Sequence, residues 1–366
     1  MSQIPESVKR WMPVHLRDLE PYDPAFTPVD TILSANENNF GVPASVRDEL
    51  CAAMAQVQEM RYPDALAHEL RAELAAWHGV DPANVLVCNG GDEAIFNFLL
   101  AFGAGATMLN CPPTFEVYEL YGSMVGVSAR NVWRDPGSLR PRWDELLAAA
   151  PSCDLAVITS PNNPTGDSVE RAQVERLLAA VPGPVLVDEA YAEFTGDGSL
   201  AAGQPGTALP LLQEHPNLVV LHTLSKAFGL AAARLGYVIA DAGVIAALAA
   251  VRQPYSVNSF SQAAALVAVR RREAFEPNLR TLLAERARLA AALAQLPGVH
   301  VWPSDANFFL VRVPDAACVR ARLRDEHSVL VRDFSAKPGL QDCLRITVGR
   351  PQDNDALIAA LGALLA

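Results

Sequence analysis

Between about residue 41 and residue 265 the chain alternates short apolar runs with helical periodicity, and this alternation restricts what it can fold into. Runs near 85, 107, 155, 185, 218 and 235 read as strands, and 43–58, 66–77, 92–102 and 170–180 read as helices between them. Strands separated by helices pair through right-handed crossovers, which predicts an open, mostly parallel sheet with an α/β layout. Ligands of such sheets bind where the carboxyl ends of the strands meet a loop. The residues that stand at strand ends therefore carry the functional information.

The run 218–223 ends in Thr223-Leu224-Ser225-Lys226, followed by Gly229. A lysine amine there is placed to condense with an aldehyde. The run Pro184-Val185-Leu186-Val187 ends in Asp188, with Tyr191 three residues on. A carboxylate at that edge can hold a ring nitrogen protonated; it can equally cap a following helix, and the residue alone leaves both readings open. Ile158-Thr159-Ser160-Pro161-Asn162-Asn163-Pro164 enters a turn whose prolines fix the backbone, and Asn163 offers a neutral donor. Val85-Leu86-Val87-Cys88-Asn89-Gly90-Gly91-Asp92-Glu93 reads as strand, glycine turn and helix, in which bare backbone and the first helical N–H groups approach an anion. Arg234 supplies a planar cation for the same anion, and Ser225 a hydroxyl. An aldehyde-binding lysine, an acid for a ring nitrogen and a phosphate cradle together describe what pyridoxal 5′-phosphate needs.

Beyond residue 266 the pattern changes. A long helical stretch over 273–296 carries Leu279, Leu282, Leu283, Leu289 and Leu293 near helical spacing. Strands at 299–302 and 307–311, a helix near 315–325, strands near 329 and 344, and a helix over 351–365 follow. The chain divides into an irregular, proline-bearing arm (1–40), a large unit (41–265) and a smaller α+β unit (266–366). With 366 residues, 51% of them hydrophobic, two units are expected on size alone.

A formal net charge of −12 leaves no chain-wide basic field for nucleic acid. The six cysteines form no CxxC pair and read as reduced thiols of a cytoplasmic protein. The seven histidines show no metal-ligand spacing. The N-terminus lacks a signal-peptide pattern and no run reaches the length of a membrane span, so neither metal nor membrane enters the expectation.

The strings NGGDEAI, CPPTFEVY, SPNNPTG, VLVDEAY and TLSKAFGLAAARLGY, in this order, resemble the class I/II aminotransferases of PLP fold type I. Within that superfamily LSANENNFG, RYPD, QPYSVNSFSQ, LVRDFSAKPGL and CLRITVG most resemble the histidinol-phosphate aminotransferase family. The resemblance implies a large domain with a mostly parallel, seven-stranded mixed sheet between helices, plus a smaller α+β C-terminal domain. It implies that Lys226 attaches pyridoxal 5′-phosphate, that Asp188 partners the pyridinium nitrogen, and that Asn163 and Tyr191 donate to the ring's 3′ oxygen. Gly91, Asp92, Ser225 and Arg234 match the phosphate holders, and Phe115 the aromatic stacked on the ring. Tyr62 matches a tyrosine that reaches the cofactor phosphate of a neighbouring subunit, implying a homodimer with shared sites and the arm packed on the small domain and the neighbour. Arg345 and Arg332 match substrate-facing arginines, Tyr22 and Tyr255 residues near a substrate phosphate, and Asn36 one near the amino-acid substrate.

Two departures from the family pattern carry expectations. Asn39 replaces a frequent proline, which predicts a looser turn in the arm; Gly90-Gly91 precede Asp92 where a hydroxyl residue is common, which removes a side-chain donor. By resemblance the expected reaction is transamination between histidinol phosphate and 2-oxoglutarate, giving imidazole acetol phosphate and glutamate, in histidine biosynthesis. An aromatic amino-acid aminotransferase and a phosphothreonine-type decarboxylase share the cofactor shell. A non-catalytic module of the same fold is disfavoured by the intact Lys226, Asp188 and Arg234.

Overall fold

The computed structural model describes residues 4–17, 19, 27–200 and 206–366. Twelve strands lie within the described residues. In chain order they are β1 (Thr31–Leu33), β2 (Val85–Cys88), β3 (Thr107–Asn110), β4 (Ser128–Asn131), β5 (Leu155–Thr159) and β6 (Val185–Asp188). Then come β7 (Leu218–Thr223), β8 (Gly236–Ala240), β9 (His300–Val301), β10 (Phe308–Arg312), β11 (Val329–Asp333) and β12 (Cys343–Thr347).

Seven of them form one sheet in the order β2-β8-β7-β6-β5-β3-β4. Pairing is parallel from β7 through β6, β5 and β3 to β4. Strand β8 runs antiparallel to both its neighbours. The reason is local: residues 224–235 hold only a single 3-10 turn (Ala231–Ala233), too little chain for a crossover helix, so the strand folds straight back. That short return carries Ser225, Lys226 and Arg234. Strands β2, β5, β6, β7 and β8 are buried along their whole length, as a sheet covered by helices on both faces requires.

The strand pattern read from apolar runs matches the sheet except at its edge. Strand β4 (Ser-Ala-Arg-Asn) is exposed throughout and pairs only with β3. Its polar residues give no apolar signal, because an edge strand with solvent on its faces needs none. Helices Val117–Val125, Trp143–Ala149 and Ser259–Arg270 also went unread. The last begins at Asn258, whose side chain accepts from Ser261 N at 2.9 Å, an N-cap inside the string QPYSVNSFSQ.

The second sheet has the order β1-β11-β12-β10-β9. Only β1 pairs in parallel, on β11; the remaining pairs are antiparallel. Residues 31–33, expected to be irregular, become a strand because the open edge of β11 supplies the partner. Buried apolar side chains run without a break from Val85 and Tyr237 through Phe228 and Phe275 to Phe308 and Ile346, so the two sheets flank one continuous core. Among the described residues no helix is long and apolar enough to cross a membrane.

Candidate active site

The carboxyl ends of the central strands open on a cavity of about 620 Å³ between the two sheets. One end is built from glycine. Gly90, at φ +80°, turns the chain out of β2 into the helix Gly90–Phe102. A Cβ on Gly90 would lie 2.6 Å from Arg234 Nη2, and one on Gly236 would lie 2.6 Å from the Gly90 carbonyl carbon. Bare backbone is therefore a packing requirement here, and it leaves the leading N–H groups of the helix beside a guanidinium. Arg234 Nη2 sits 2.9 Å from Asp92 Oδ2, and Ser225 Oγ lies 3.0 Å from Thr223 Oγ1. Gly91, Asp92, Ser225 and Arg234 all line the cavity.

The middle of the cavity is set by strand register. Thr159 and Asp188, the last residues of β5 and β6, lie abreast of each other and of Leu221 within β7. Asp188 is buried; its Oδ1 accepts from Ala190 N at 3.0 Å and its Oδ2 from the Tyr118 hydroxyl at 2.6 Å. Burial pushes its carboxyl up to about 6, against the pull of those two donors. Tyr118 is fully buried, also sits 2.8 Å from Thr159 Oγ1, and meets Phe115 edge-on at 5.7 Å. Phe115 lines the cavity. Lys226 Nζ donates to the Ala35 carbonyl at 3.0 Å and lies 5.8 Å from the Tyr191 ring centre. Burial, helped by the nearby Arg345 cation, pushes its amine down to about 8.

The far wall comes from the five-stranded sheet. Arg345, on β12, donates from Nη1 to Asn163 Oδ1 and from Nη2 to the Ser34 carbonyl, both at 2.7 Å. Its guanidinium stands 5.6 Å from the Phe308 ring centre and 5.5 Å from that of Phe334. Arg332 is its cross-strand partner on β11 and also lines the cavity. Because Asn163 Oδ1 is taken by Arg345, what this side chain has left to offer is its N–H₂ group. Asn36, at φ 55°, donates from Nδ2 to the Tyr191 hydroxyl at 3.0 Å, and Thr347 Oγ1 lies 3.3 Å from its Oδ1. Tyr191 is buried, its ring nearly perpendicular to that of Phe308 at 5.1 Å, and burial raises its phenol.

Of the fifteen residues singled out from sequence, fourteen lie within the described residues and twelve of these line the cavity. Lys226, Asp188, Tyr191, Gly91, Asp92, Phe115, Asn163, Ser225, Arg234, Asn36, Arg332 and Arg345 line it. Tyr62 and Tyr255 do not: they stack on each other at 4.7 Å and 19°, exposed to 82% and 45%. Tyr22 lies outside the described residues. The looser turn expected at Asn39 is not what is found: its side-chain amide donates to the Ile32 carbonyl at 3.2 Å and to Asp353 Oδ2 at 3.0 Å, tying the turn to the last helix. An amide replaces ring rigidity with two hydrogen bonds. Tyr118, Glu116 and Lys337 were missed. Tyr118 alone had a signal, standing one helical turn after Phe115 in CPPTFEVY. At the surface Glu175, Glu214 and His215 come together within 4.8 Å, a grouping that spacing along the chain did not disclose.

A family model described as aminotransferase class I and II matches residues 29–361. The chain belongs to this family. It is 38% identical over 340 residues to a histidinol-phosphate aminotransferase of Thermoanaerobacter sp. (strain X514), an alignment covering 91% of this chain and 92% of the relative. Among solved structures it is similar to the histidinol-phosphate aminotransferase of Sinorhizobium meliloti in complex with pyridoxal 5′-phosphate (25% identity, TM-score 0.85, 96% of each chain). It is also similar to the L-threonine-O-3-phosphate decarboxylase of Porphyromonas gingivalis (27% identity, TM-score 0.78, 92% of this chain and 99% of that one). The enzyme is a transaminase whose cofactor is pyridoxal 5′-phosphate. Its residues fit that group: an amine for the aldehyde, an acid for the ring nitrogen, and a glycine cradle that a Cβ would fill.

Proposed function

We propose that the enzyme moves an amino group between histidinol phosphate and 2-oxoglutarate, giving imidazole acetol phosphate and glutamate, in histidine biosynthesis. In this reading 1–40 is an arm, 41–265 the cofactor-binding domain and 266–366 the small domain. The observation that carries the substrate assignment is Arg345, its guanidinium within 5.6 Å of the ring centres of Phe308 and Phe334, with Arg332 as its cross-strand partner. A fixed guanidinium pairs with the α-carboxylate of glutamate or with the phosphate of histidinol phosphate through the same fork. The 38% identity to a relative named for that reaction supports the choice.

Bound to Lys226, the cofactor supplies an electron-withdrawing ring that stabilises negative charge at the substrate Cα. The chain's residues do the rest. Asp188, pinned on both oxygens, holds the ring nitrogen's proton. Asn163 and Tyr191 donate to the ring oxygen, while Gly91, Asp92, Ser225 and Arg234 hold the phosphate. Lys226, with its amine near 8, is free to take the Cα proton of the amino donor and to return a proton in the second half-reaction. Arg345 and Asn36 orient the substrate so that this proton faces Lys226.

The exposed Tyr62–Tyr255 pair supports a homodimer with shared sites, since two phenols outside their own cavity are available to a neighbour's. Tyr255 then serves with Tyr62 across the interface and not in its own chain. Six free cysteines fit a cytoplasmic setting.

The deciding experiment adds histidinol phosphate alone to the cofactor-loaded enzyme and follows the cofactor's visible band and the released product, with phenylalanine as competitor. Loss of the band with one equivalent of keto product, and preference over phenylalanine, is expected. Preference for phenylalanine assigns an aromatic aminotransferase; carbon dioxide released from phosphothreonine, without keto product, assigns a decarboxylase.

A further inference from the structure

We propose that the ion pair Glu116–Lys337 is the subsite that accepts the dissimilar ends of the two amino donors. This rests on the substrate reading above and extends it. Glutamate and histidinol phosphate share a reacting amine and an anion that Arg345 can hold. They differ beyond that: one ends in a carboxylate, the other in an imidazole whose ring N–H donates or, when protonated, carries positive charge. A single site must take an acceptor-only anion and a donor ring in turn.

Among the charged residues lining the cavity, most are committed. Asp92 and Arg234 face each other at the glycine cradle, and Asp188 is held by Tyr118. Asp333 Oδ1 accepts from Ser335 N at 2.7 Å. Arg332 is the cross-strand partner of Arg345. Glu116 and Lys337 are different. Lys337 Nζ sits 2.7 Å from Glu116 Oε1, and both side chains line the cavity while remaining about half exposed, at 45% and 54%.

They also come from opposite sides. Glu116 precedes the helix Val117–Val125 next to the seven-stranded sheet; Lys337 sits in the turn after β11, its N–H donating to the Phe334 carbonyl at 2.8 Å. An exposed pair of this kind adds little to stability, so separating its members for a substrate is easy. With glutamate bound, the Lys337 ammonium turns to the side-chain carboxylate. With histidinol phosphate bound, the Glu116 carboxylate accepts from the imidazole. Each substrate takes the place of one member of the pair, and the displaced member, already half exposed, turns to water.

The test uses cofactor-loaded wild type, Glu116→Gln and Lys337→Gln, with single-turnover half-reactions for glutamate and for histidinol phosphate. The readout is the ratio of the two second-order rate constants. Lys337→Gln should move that ratio roughly tenfold towards histidinol phosphate, and Glu116→Gln roughly tenfold towards glutamate. Ratios that move in the same direction, or stay within about twofold, overturn the proposal, since a mere latch between the sheets would affect both donors alike. Glu37 is the remaining cavity carboxylate, and a loss confined to histidinol phosphate in Glu37→Gln but not in Glu116→Gln also overturns it. A wild-type enzyme inert to histidinol phosphate refutes the substrate reading and this subsite with it; an active wild type without opposed shifts refutes the subsite alone.

Discussion

Tyr118 is the residue through which the protonation of Asp188 can be moved without touching either reacting partner. Its hydroxyl is fully buried, 2.6 Å from Asp188 Oδ2. A hydrogen bond to a buried charge contributes roughly 1.5–3 kcal/mol, and it favours the carboxylate over the acid. One pKa unit corresponds to about 1.4 kcal/mol, so Tyr118→Phe should raise Asp188 by about one to two units. Starting from about 6, the carboxyl would then titrate at roughly pH 7–8. Because a protonated ring nitrogen binds best opposite a carboxylate, cofactor affinity of the cofactor-free protein should decline below a pH that lies one to two units higher in the variant. Titrating cofactor binding by absorbance from about pH 5 to 9, for both proteins, measures this shift directly. An unmoved midpoint, or one displaced to lower pH, would mean that Tyr118 fills space and does not control the acid.

Lys226→Ala should abolish the visible band of the cofactor-loaded enzyme and nearly all turnover; a retained band with near-normal rates would show that another amine carries the cofactor. Arg345→Lys should slow the glutamate half-reaction by about 1–3 kcal/mol of lost bidentate pairing, read as kcat/KM with glutamate. Gly91→Ser should be accommodated, since a Cβ there meets only the Leu221 side chain, at 3.6 Å and beyond, and should tighten cofactor binding by supplying a hydroxyl. Gly90→Ala should weaken it, because its Cβ falls 2.6 Å from Arg234 Nη2 at a positive φ; paired dissociation constants check both substitutions. A pH effect follows from the buried groups. Asp188, Glu189 and Glu193 are pushed up by burial to about 6, 7 and 8, so each contributes stability that is lost as pH rises through its folded value. Burial depresses His78 to about 4 and His222 well below its ordinary range, which acts oppositely but only below about pH 6.5. The cofactor-free protein should therefore lose thermal stability between about pH 6.5 and 8, by at most about 1.4 kcal/mol per unit and group, and Glu193→Gln should flatten that decline.

Much of this site could be read one strand at a time. Lys226, Asp188 and Asn163 each follow an apolar run, and each stands at the cavity because strand ends of a parallel sheet share one edge. Arg345 was legible as a cation inside an apolar strand. Tyr62 and Tyr255 were legible as residues, but not as a stacked pair, because 193 positions of chain separate them. Asn39 was misread because a missing proline was taken for missing restraint; the restraint comes from Asp353, far along the chain. Strand β4 was silent because exposure at a sheet edge removes the apolar signal on which such a reading depends.

Most strands of the large sheet and the cofactor were legible in the sequence alone, since they depend on local periodicity and on side chains at the ends of runs. Tertiary structure decided the couplings: Tyr118 on Asp188, Arg345 on Asn163, Asn36 on Tyr191, and Glu116 on Lys337. These pairs join segments from 70 to more than 200 positions apart, and proximity of that kind exists only once register and sheet packing have been set.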